Sequence, residues 1–72
     1  MTIEEQIEIK VEIFKNIWDK FPRNIKVKLV YGPPMVLMCM LMSEMPNLKI
    51  NDDTELLAIQ NKMVEYTKES IQ

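Results

Sequence analysis

Six of the chain's eight sulfur-bearing side chains lie between positions 35 and 45: Met35, Met38, Cys39, Met40, Met42 and Met45. Thioether and thiol sulfurs are soft ligands that select Cu(I). Met38 and Met42, four apart, would share one face of a helix. Their neighbours are Val36, Leu37 and Leu41, however, and the chain has no histidine to complete a copper or zinc site. Packing, or an adaptable binding surface of the kind methionine builds, is therefore expected here in place of a metal. Cys39 as a nucleophile would need a base, and none is at hand. An inert, buried cysteine is expected.

Two other groups of side chains could do chemistry. Glu4, Glu8 and Glu12 recur at a spacing of four, which puts three carboxylates on one helix face. With no apolar wall beside them, they are expected to be a solvated surface. A basic belt follows. Residues 15–28 carry Lys15, Lys20, Arg23, Lys26 and Lys28 against Asp19 alone, between two acidic ends, in a chain of net charge −2. One glycine in the whole chain excludes a phosphate-cradling loop, and the lack of histidine removes the usual proton carrier at neutral pH. The chain is expected not to be an enzyme and to need no cofactor or metal.

The elements that must position these residues follow from spacing. Thr2 with Glu5 is a helix-opening pair, hydroxyl and carboxylate each serving an orphan amide. Ile7, Val11, Phe14, Trp18 and Phe21 recur at steps of 4, 3, 4 and 3, the seam of a packed helix, widened by Ile13 and Ile17. Pro22 stops that helix. In residues 25–31, Ile25, Val27, Leu29 and Tyr31 alternate with Lys26, Lys28 and Val30, which predicts a short strand ended by Gly32. Its partner would be residues 47–51 or its own copy in a second subunit. On such a strand Lys26 and Lys28 point to the same side.

Pro33-Pro34 opens and Pro46 closes the Met-rich segment, and methionine and leucine favour a helix between them. A strand over 35–42 is the alternative. On a helix, the eight apolar residues from Met35 to Met42 point in every direction. A helix apolar all round must be surrounded. The last helix is predicted from near Asp52, with Glu55 as its box partner. Its seam is Leu56, Ile59, Met63 and Tyr66, broadened by Leu57, Val64 and Ile71.

Seventy-two residues make one domain, 1–72, with 47% apolar and 28% charged residues. Below about 80 residues a core usually needs a staple. One cysteine cannot make an internal disulfide, so oligomerisation is the staple expected. The predicted fold is mostly α with a minor β element: helix, short strand, apolar helix, C-terminal helix, in an intertwined or face-packed homodimer. No basic leader precedes an apolar run, and no run approaches the roughly 20 residues of a membrane span. A lone cysteine fits a reducing compartment. A cytoplasmic protein that does not engage membranes is expected.

These features point to a non-enzymatic interaction module that binds and modulates, by inhibition or regulation, a larger protein. Size and composition match small proteins common in phages and mobile elements. Met35, Met38, Met42 and Met45 would supply the adaptable surface, with Trp18 and Phe21 as aromatic anchors. The alternatives are a dimeric nucleic-acid or anion binder using Lys20, Arg23, Lys26 and Lys28, against which stands an isoelectric point near 5.0, and a structural assembly subunit.

Overall fold

The chain folds as four consecutive helices, in a computed structural model that describes residues 2–71, with side chains described from Thr2 through Glu69. The helices are α1 (Ile3–Trp18), α2 (Arg23–Tyr31), α3 (Pro34–Glu44) and α4 (Asp53–Ile71).

The Thr2 hydroxyl opens α1 by accepting the Glu5 backbone N–H at 3.1 Å, and it donates to the Glu5 carboxylate at the same distance. The predicted seam is the buried one: Ile7, Val11, Phe14 and Trp18 all face inward. Ile17 packs at its edge, but Ile13, expected to widen it, is 40% exposed. The helix ends at Trp18, four residues before Pro22. A turn in which the Phe21 N–H donates to the Trp18 carbonyl returns Phe21 to the core. Phe14, Trp18 and Phe21 then meet edge to face, with ring centroids 5.3 to 6.4 Å apart.

Residues 25–31 are not a strand. They belong to α2, and among the described residues there is no strand at all. The alternation that suggested period two is equally compatible with a helix, because Ile25 and Leu29 are four apart and share its inward face beside Val30. A helix satisfies its own backbone groups; a lone strand here would have had none to pair with. Residues 47–51, the expected pairing segment, form an irregular link in which the Leu48 N–H donates to the Met45 carbonyl. Pro22, extended at φ −69° and ψ 160°, caps α2 at its start: its carbonyl accepts the N–H groups of Ile25 and Lys26, each at 3.0 Å.

Pro34 sits in the first turn of α3, as its missing N–H allows. This settles the Met-rich segment as helix rather than strand. The Asp52 carboxylate opens α4 by accepting the Glu55 N–H at 2.8 Å. Glu55 does not close the expected box; its carboxylate binds Lys10 and Asn51 instead. Leu56, Ile59 and Met63 are buried as predicted, Tyr66 and Val64 pack at the edge, and Leu57 stands out at 45% exposure. Ile71, expected to broaden the seam, lies outside the described side chains.

α4 packs against each of the other three helices, and α2 packs against α3. The Cα radius of gyration is 11.4 Å, against about 11 Å for a compact chain of this length. The twelve buried apolar residues come from all four helices and the α1–α2 turn of one copy.

Candidate functional site

α3 is apolar on more faces than its own fold can cover. Leu37 and Leu41, four apart, are its buried residues. Met38, Met40 and Met45 are half-buried at the flanks. The opposite side carries Met35, Cys39 and Met42, spaced i, i+4 and i+7 and so aligned on one face. Met35 is 70% and Met42 62% exposed, with Val36 beside them and Cys39 open to solvent. Within α3, Ser43 is the polar residue next to this stripe. Glu44, at the end of the helix, is paired with Lys20.

A groove of about 520 Å³ runs where the start of α3 meets the link and the start of α4. Met35, Met38, Ile50 and Leu57 make its apolar walls, and Asp52 and Asp53 its acidic rim. No lysine or arginine lines it. At the other end of α3, Met45, Leu48 and Ile13 line a second, shallower depression of about 350 Å³.

The six residues expected to bind a partner therefore do not form one surface. Trp18 and Phe21 are corrected from anchors to core: they are 1% and 8% exposed, consumed by the aromatic cluster. Met35 and Met38 share the groove, Met42 faces outward, and Met45 lies at the far end. Cys39, expected to be buried, is exposed.

The basic belt is dispersed. With residues 25–31 helical, Lys26 and Lys28 stand about 200° apart around α2 and cannot form one ribbon. Lys26 lies 3.9 Å from Asp19 and 5.8 Å from the centre of the Trp18 ring. Lys20 is held by Glu44. Arg23 and Lys28 are exposed and make no ion pair with any described residue. On the acidic face, Glu8 binds Lys62 across to α4. The Lys62 hydrogen bond, and then its charge, hold the Glu8 carboxyl below its ordinary value, and the same pair raises Lys62.

One polar cluster went unrecognised from the sequence. Lys10 pairs with Glu55, with side chains 13% and 6% exposed, and Asn51 donates to the other carboxylate oxygen at 2.9 Å. Burial pushes the Glu55 carboxyl up. The Lys10 hydrogen bond, the two bonds from Asn51 and the Lys10 charge outweigh it and leave the carboxyl below its ordinary value. The signal was available: Lys10 interrupts the inward arc of α1, and a charge in such a place demands a partner. The groove walls Ile50 and Leu57 carried no comparable signal, because their setting depends on how the link folds back.

Comparison with known proteins finds no matching family model, no matching curated protein and no matching solved structure. None of the described helices is long and apolar enough to cross a membrane.

Proposed function

We propose that the protein is a non-enzymatic interaction module that binds a larger protein through the outward face of α3 and modulates it. The observation that carries this is the exposure of Met35 and Met42, at 70% and 62%, on a helix whose inward face already fills the core. Burying one such side chain is worth about 1.5–3 kcal/mol, so the stripe favours a cover. Its i, i+4, i+7 spacing is that of a helix that docks into another protein's groove. Methionine adapts to the shape it meets. The exposed thiol of Cys39 at the centre of the stripe fits a reducing cytoplasm. A homodimer, where it forms, would use a surface beside this stripe, and neither association requires the other.

Cys39 is the sole cysteine and so offers a unique attachment point. A benzophenone maleimide placed there should, on irradiation in an extract of the source cells, yield a discrete adduct with a larger protein. Met42→Lys should abolish that adduct without lowering the melting temperature. Adducts only with further copies of the chain, or adducts indifferent to Met42→Lys, would contradict partner binding through this face.

A further inference from the structure

We infer that the groove at the start of α3 receives α2 from a second copy of this chain. The outward face of α2 carries Val27 and Tyr31 beside Asn24 at its centre and basic residues at its edges. Val27 and Tyr31, four apart, are 41% and 61% exposed, and Arg23 and Lys28 flank them without an ion-pair partner among the described residues. The groove is its complement. Met35, Met38, Ile50 and Leu57 form an apolar floor and wall, and Asp52 and Asp53, neither in an ion pair with a described residue, supply negative charge beside them. The occupant this surface fits is thus an amphipathic helix with a basic margin, and the chain itself carries one.

The two surfaces can be satisfied at once in a symmetric pair. Only Gly32, Pro33 and Pro34 separate Tyr31 from Met35, four steps along the chain, so their Cα atoms lie within about 14 Å. A two-fold axis passing near this corner lets α2 of each copy lie on the groove of the other. That contact is isologous and closes at two copies. It covers Met35, so that in the dimer the outward stripe offers a partner Met42, Cys39 and Val36. The inference therefore goes beyond partner binding through that stripe and does not depend on it.

The test is charge reversal read by sedimentation velocity. Lys28→Glu and Asp53→Lys alter exposed side chains, and circular dichroism melting confirms that each variant folds. The wild type should dimerise in the micromolar range and weaken as salt is added. Each single variant should dissociate at least about tenfold more readily, because it places like charges together twice per dimer. An equimolar mixture of the two should recover wild-type affinity. In the mixed dimer the glutamate introduced in one variant meets the lysine introduced in the other, and the remaining contact keeps the original Lys28 and Asp53. A monomeric wild type at every concentration, a dimer indifferent to both reversals, or a mixture no tighter than its components would each overturn the inference. A monomeric wild type that still cross-links through Cys39 would remove the dimer and leave the partner-binding proposal standing.

Discussion

At Lys10 the inward arc of α1 carries a charge, and Glu55, at the first turn of α4, answers it. The pair ties the first helix to the last at a point where an apolar contact would have been easier to form. Breaking it leaves a buried charge without a partner, so Lys10→Met is expected to cost about 3 kcal/mol in denaturant unfolding, while changing both residues to apolar ones costs less. The pH dependence has a definite sign. The folded Glu55 carboxyl is lowered from an ordinary 4.5, so its contribution is complete above that value and lost as pH falls through the folded value. Stability of the wild type should decline below about pH 4.5, and Glu55→Gln should flatten that decline; an unchanged slope would show that other groups govern it. Gln60 plays a comparable part for α2. Its buried amide donates to the carbonyls of Leu29 at 3.1 Å and Gly32 at 3.0 Å, closing the helix end. Gln60→Leu leaves both acceptors unserved and should cost about 2 kcal/mol. At this scale the caps Thr2 and Asp52 were legible, because a cap acts on residues three positions away. Gln60 was not, because the groups it serves lie 28 and 31 residues distant in sequence.

Among the elements, α1 and α4 follow from their apolar spacing and their opening residues, and α3 from its flanking prolines and the helix preference of methionine and leucine. α2 does not. Seven residues of alternating sequence hold too few positions to separate a period of two from one of 3.6, and the choice was made by what surrounds the segment. Pro22 supplies a starting carbonyl, Gly32 and Gln60 an end, and no second segment among the described residues offers a ladder. Gly32 is held to its type by space: a Cβ there would collide with the Lys28 carbonyl oxygen. Gly32→Ala should therefore lower the melting temperature, in spite of alanine's smaller loss of backbone freedom. α3 divides sharply between its faces. Leu37→Ala should cost about 2–5 kcal/mol, as for other buried leucines, whereas Met42→Lys should change stability by no more than about 0.5 kcal/mol. Equal losses at the two positions would mean that both are buried. The Met-rich helix and its unpartnered side were readable from composition. Which methionines face outward was not, because a helix apolar in every direction carries no sign of its own orientation.

The whole molecule closes its core within one copy. An 8.5 kDa chain exposes 4908 Å², close to the roughly 4,700 Å² expected of a compact monomer of that mass. The expected staple of a second subunit is not needed to assemble the buried residues. What a second subunit or a partner would cover is the surface left by α3, not the interior. Trp18 makes the distinction concrete: sequence placed it at an interface, and it is buried inside the one copy, edge to face with Phe14 and with Phe21 of the α1–α2 turn, on a helix packed against α4. The Cys39 side of α3 faces solvent in the folded single copy. The direct measurement is the rate at which a small disulfide reagent modifies Cys39, taken at nanomolar protein concentration in native buffer and again in denaturant. The native rate should lie within about tenfold of the unfolded one, since no opening of the fold is required. A native rate slower by about a thousandfold or more, rising only as the protein unfolds globally, would place Cys39 inside the molecule and contradict the orientation of α3.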